Sequence, residues 1–154
     1  MSDVVIVMGS KADLERGKKV ADALSTYGLT SELRIASAHK SPAHLLQMLH
    51  AYEQDGAQRV YITIAGRSNA LSGFVDAAVS APVIACPPIS DAFGGADVFS
   101  SLRMPSGVAP ALVLEPEAAA LLAAKILGRR DQVKHVQAAQ AARIVADDQA
   151  LRGE

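Results

Sequence analysis

Tryptophan is absent from the chain, phenylalanine and tyrosine number three each, and there is one cysteine, Cys86. A lone cysteine excludes an intramolecular disulfide framework and a cysteine cluster around a metal. "VIACPP" places Cys86 at the end of an apolar run, which reads as a packed, inert thiol rather than a nucleophile. So few aromatics leave little with which to stack the bases of single-stranded nucleic acid. Charge of one sign is also missing: 15 Lys and Arg stand against 16 Asp and Glu. That balance gives no global pull toward nucleic acid or an anionic membrane. No apolar run approaches membrane-spanning length, and "MSDVVIVM" lacks the basic and long apolar regions of a signal peptide. Cytoplasm is the expected location.

What is present is an ordinary globular composition, half hydrophobic and one fifth charged over 154 residues. That length suits one domain with a proper core. Short β-rich runs alternate with helical patterns. "VVIVM" (4–8) reads as a buried strand, "SELRIA" (31–36) as an amphipathic one, and "RVYITIA" (59–65), "PVIAC" (82–86) and "PALVLE" (110–115) as three more. Helices are expected near 12–27, from Ser41-Pro42 to about Tyr52, through "NALSGFVDAAVSA", over 116–127, and over 131–151. Residues 87–107, rich in Gly, Pro and Ser, read as a long irregular connection, and loops of that size are usually functional.

Repeated strand–helix units predict an α/β domain, a flavodoxin-like three-layer sandwich on a five-stranded parallel sheet. The catalytic domain is expected over 1–128 and a helical extension over 129–154. The last helix has apolar positions at Val133, Val136, Ala141, Ile144 and Val145. They suit either packing on another subunit or folding back on their own domain.

In such folds ligands sit outside the carboxyl ends of the strands, and each polar loop here follows a strand. After the first strand, Gly9 permits close backbone approach, Ser10 offers a hydroxyl, and Asp13 can bond a sugar hydroxyl. An S-x-x-D helix cap explains Ser10 and Asp13 equally simply. After the second, Ser37, His39 and Lys40 share one turn. The cation beside His39 disfavours a second positive charge, which suits a proton acceptor, although a solvated surface turn has the same composition. After the third, Gly66, Arg67, Ser68 and Asn69 supply close approach and hydrogen-bond donors, with Arg67 able to fork onto a carboxylate or phosphate or to serve structure. "SSLRMPSG" adds Ser101, Arg103 and Ser106. Paired carboxylates on one loop, a nucleophile elbow, a P-loop lysine and a G-x-G-x-x-G are all missing. One acid–base group among anion donors suits a proton moved on a phosphorylated substrate.

Taken together, "VMGSKAD", "SAHK", "AGRSN", "CPP" and "SSLRMPSG" resemble the PurE family of purine biosynthesis, over about residues 4 to 128. The resemblance is closest to its class II branch, the phosphoribosylaminoimidazole carboxylases. Lys40 stands where the class I branch usually has arginine, and "AGRSNALSG" stands where class I has a Gly/Ala-rich loop with a second histidine. The resemblance implies reversible carboxylation of 5-aminoimidazole ribonucleotide (AIR) by carbon dioxide to the 4-carboxy product (CAIR), without ATP, biotin or metal. It also implies a homo-oligomer, an octamer or a smaller even assembly. It makes His39 the general acid–base. Gly9, Ser10 and Asp13 fall on the ribose and phosphate loop, Ser37 and Lys40 by phosphate, and Gly66, Arg67, Ser68 and Asn69 by the carboxylate or carbon dioxide. The alternatives are the class I mutase and, from another class, a non-catalytic nucleotide- or flavin-binding module. The latter is disfavoured by the scarcity of aromatics.

Overall fold

The structure, a computed structural model, describes residues 1–153. Five parallel strands, β1 (Val4–Met8), β2 (Ser31–Ile35), β3 (Val60–Ile64), β4 (Val83–Ala85) and β5 (Ala111–Leu112), lie in the order β2-β1-β3-β4-β5. The helices are α1 (Leu14–Ser25), α2 (Pro42–Glu53), α3 (Leu71–Ala78), α4 (Pro116–Ile126) and α5 (Arg130–Arg152). This is the flavodoxin-like arrangement expected from the alternating strands and helices.

The unbroken apolar runs explain the burial. Successive side chains of a strand face opposite ways, so a strand covered on both sides needs apolar residues throughout. Val4, Ile6 and Met8 pack with Val20, Leu24 and the alanines of α4 on one face, while Val5 and Val7 pack with Leu45, Leu49, Leu71 and Val75 on the other. Gly17 lets α1 lie close to the sheet. A Cβ there would lie 2.6 Å from the Met8 sulfur and 3.1 Å from Leu33 Cδ2, so any larger residue has to push those two side chains aside.

Two expectations are corrected. The fifth strand contributes only two ladder residues rather than six. Residues Ala92–Ser101 form 3-10 turns interrupted by three left-handed residues, Phe93, Gly94 and Gly95, where irregular chain is expected. Of the two readings left open for α5, its first two turns fold back on their own domain. Val133 is buried in the core, Val136 packs against it, and Arg129 pairs with Asp3. Only from Gln137 onward is α5 exposed throughout, with Ile144 at 69% and Val145 at 56%. Among the described residues no helix is long and apolar enough to cross a membrane.

Candidate active site

The strand order reverses between β1 and β3, and there the loops after β1, β2 and β3 open a crevice. A cavity of about 660 Å³ lies over these carboxyl ends. Its wall includes Gly9, Ser10, Asp13, Ser37, His39 and Lys40. Gly66, Arg67 and Ser68 complete it from the third loop.

The first loop is held from within. The Ser10 amide and hydroxyl both donate to Asp13 Oδ2, at 3.0 and 3.1 Å, and the Asp13 amide donates to the Ser10 carbonyl at 3.2 Å. The S-x-x-D cap is therefore formed, on a short 3-10 turn (Lys11–Asp13) that leads into α1. Both residues nevertheless line the cavity, so the cap and a ligand contact are compatible.

The second loop is a tight turn. Ala36 extends the ladder by donating to the Met8 carbonyl at 2.9 Å. The Ser37 amide donates to Ser41 Oγ at 3.0 Å, and the Lys40 amide to Ser37 Oγ at 3.2 Å. Ser37 Oγ thus accepts from backbone and keeps its own proton to give. Pro42 in the first turn of α2 fixes where the turn ends. The result is a rigid platform that presents His39 and Lys40 outward, both exposed.

The third loop is packed closely. A Cβ on Gly66 would stand 3.0 Å from Pro88 Cγ, so glycine is needed for β3's loop to pass the chain leaving β4. Arg67 follows with φ of 59°, a left-handed conformation that costs a non-glycine residue about 1–2 kcal/mol. Its carbonyl accepts from Ser100 Oγ at 3.1 Å. Among the described residues the side chains of His39, Lys40 and Arg67 have no hydrogen-bonding or ion-pair partner. Two cations and an imidazole therefore face one cavity uncommitted, an arrangement suited to an anionic ligand.

Asn69 is not where it is expected. It is 4% exposed and does not line the cavity; its amide nitrogen donates to Ser101 Oγ at 2.9 Å and to Ser72 Oγ at 3.1 Å. Arg103 and Ser106 are exposed and also lie off the cavity wall. Pro88, from the "CPP" stretch, and Ser90 also line it. The only sequence signal for Ser90 is its place shortly after a strand. Cys86 is fully buried, and burial pushes its thiol up, as expected for an inert packed residue. Arg16 donates to the Cys86 carbonyl at 3.1 Å and to the Leu114 carbonyl, a tie with no sequence signature.

A family model described as AIR carboxylase matches residues 3–146. The chain belongs to the AIR carboxylase family. Over 154 residues it is 52% identical to a phosphoribosylaminoimidazole carboxylase of Treponema denticola, covering 97% of each protein. A protein of the same description from Archaeoglobus fulgidus is 59% identical over 128 residues, 83% of this chain and 70% of that one. The human bifunctional phosphoribosylaminoimidazole carboxylase/phosphoribosylaminoimidazole succinocarboxamide synthetase matches at 44% over 125 residues, 81% of this chain but 29% of the longer protein. The crystal structure of Treponema denticola PurE superposes with a TM-score of 0.94 at 52% identity, over 96% of this chain and 97% of that one. The family match runs past Gly128 to residue 146 of α5, through the two turns that pack on the core and into the exposed part of the helix.

Proposed function

We propose that the protein catalyses the reversible carboxylation of AIR by carbon dioxide to CAIR in purine biosynthesis, without ATP, biotin or a metal. The observation that carries this reading is one imidazole, His39, beside two uncommitted cations in a single crevice at the strand-order reversal.

The chemistry needs little more. The aminoimidazole ring is an enamine, so its C4 is nucleophilic and attacks the carbon of carbon dioxide. As the new carbon–carbon bond forms, one C=O electron pair moves to oxygen and gives the carboxylate. The ring carbon then carries both a proton and the carboxylate. His39 takes the proton, and its electron pair restores the aromatic ring. In decarboxylation the same imidazolium returns the proton. Ser10, Asp13, Ser37 and Lys40, on the loops after β1 and β2, hold ribose and phosphate. Gly66, Arg67 and Ser68 face the carboxylate or carbon dioxide, where Arg67 stabilises developing negative charge.

The class II reading rests on Lys40 and on the third loop, which places Arg67 and Ser68 at the cavity and supplies no second histidine. Migration of a carboxylate from the ring-external nitrogen, the mutase alternative, would use the same crevice. The exposed apolar residues of α5, Ile144, Val145 and Leu151, support assembly of several copies of the chain, an octamer or a smaller even oligomer.

The deciding experiment follows CAIR absorbance with wild type and His39→Asn, in EDTA and without ATP. Rapid decarboxylation by wild type alone is the expected result. A wild type that leaves CAIR untouched but converts the N-carboxy isomer overturns the carboxylase assignment in favour of the mutase.

A further inference from the structure

The third loop is held by residues that never reach the cavity. Ser100 Oγ accepts the Asn69 amide N–H at 2.9 Å and donates toward the Arg67 carbonyl at 3.1 Å and the Asp97 carbonyl at 2.8 Å. Ser101, 3% exposed, accepts from the Asn69 side chain, whose oxygen in turn takes the Ser72 amide N–H at 3.3 Å. Ser100 thus holds the backbone on either side of Ser68, at the Arg67 carbonyl and the Asn69 amide, while Ser101 fixes the Asn69 side chain. Arg67 is the residue in that grip with left-handed backbone. A conformation of that cost persists only where its surroundings over-determine it. Arg67 and Ser68 also form a shared wall: they line the main cavity and an adjoining one of about 510 Å³ bounded by Ser100.

We infer that Asn69, Ser100 and Ser101 are positioning residues for the carbon dioxide half-site, holding the Arg67–Ser68 backbone in the strained form that meets the one-carbon reactant. This rests on the carboxylase reading proposed above. The nucleotide's ribose and phosphate are assigned to different loops, whose hydrogen bonds do not involve the clamp. Loosening the clamp therefore acts on one substrate and spares the other. A residue that only caps α3 and adds stability has no such selectivity.

The test uses the full-length protein with Ser101→Ala, Asn69→Ala and the pair together. Initial carboxylation rates are taken against dissolved carbon dioxide at saturating AIR, then against AIR at saturating carbon dioxide, with the thermal midpoint recorded for each variant. Loss of one buried hydrogen bond should raise KM for carbon dioxide about tenfold. KM for AIR should stay within about twofold, the signature of an effect confined to one half-site. The double variant should be no worse than the poorer single one, because both changes remove the same Asn69–Ser101 bond. Should a buried substitution prevent folding, Ser100→Ala at an exposed position breaks the two backbone grips and is expected to give the same split. A lowered thermal midpoint with both KM values unchanged overturns the clamp and leaves the carboxylase reading intact. A wild type that fixes no carbon dioxide at any concentration overturns both.

Discussion

The two ends of the β-sheet carry similar side chains and treat them in opposite ways. At the amino ends, Arg59 is 2% exposed, bonds Asp55 at 2.7 Å and the Tyr52 carbonyl, and lies 4.9 Å from the Tyr52 ring centroid. Asp3 accepts from the Thr30 amide and hydroxyl, both at 2.8 Å, and faces Arg129 at 3.3 Å. At the carboxyl ends, His39, Lys40 and Arg67 are exposed, none with a side-chain partner among the described residues. A charge committed within the protein contributes to stability and is silent toward ligands. An uncommitted one costs little at the surface and remains available. The difference separates the scaffold from the chemistry within one domain.

Substitutions at the two ends should therefore divide cleanly between kinetics and stability. The largest effect is expected from His39→Asn, which removes the proton carrier: kcat should fall ~10²–10⁴-fold, with the thermal midpoint unmoved because the side chain is exposed. An unaltered rate would break the division at its strongest point. Next comes Arg59→Met, which removes a buried guanidinium and leaves Asp55 and the Tyr52 carbonyl without its hydrogen bonds. It should cost about 2–3 kcal/mol in denaturant titration while the folded enzyme keeps its kcat/KM. Lys40→Met should raise KM for AIR about tenfold and flatten its dependence on salt, the mark of a lost phosphate contact. The smallest effect concerns acid. Hydrogen bonds from Thr30, with Arg129 nearby, hold the Asp3 carboxyl below its ordinary value of 3.8, against the opposing effect of burial. Its contribution to stability is present above that value and is lost as pH falls through the lower folded one. Asp3→Asn should therefore flatten the acid limb of the stability–pH curve below about pH 4 and leave the neutral region's slope alone.

How much of this was legible beforehand follows from how local each feature is. β1 is legible to the residue, because five consecutive apolar side chains suit only a strand covered on both faces. The crevice is legible for the same reason: once the strands are placed, the loops at their carboxyl ends converge by topology. β5 is over-read, since "PALVLE" has strand composition while the ladder to β4 ends after two residues. Asn69 is misplaced because its partners, Ser100 and Ser101, lie about 32 positions away, and nothing within its own loop distinguishes a buried amide from a ligand-facing one. The left-handed turn at Arg67 is similarly invisible, arginine having no preference for it. In α5 the apolar spacing runs through a helix of which only the first two turns meet the core, so periodicity alone does not divide it.

The two-residue β5 has a consequence for how the domain opens. With so short a ladder, the outer edge of the sheet leans on ties outside it: Arg16, reaching from α1 to the carbonyls of Cys86 and Leu114, the Ala109 amide bonded to Asp76 at 2.7 Å, and the Val113 amide bonded to the Ala85 carbonyl at 2.9 Å. An edge with so few ladder bonds is the natural first place for sub-global unfolding. Amide protons of Ala111–Val113 should exchange well before those of β1 and β3, and a thiol reagent should find Cys86 at that same opening rate, making the otherwise inert cysteine a clock for the breathing of the sheet's edge.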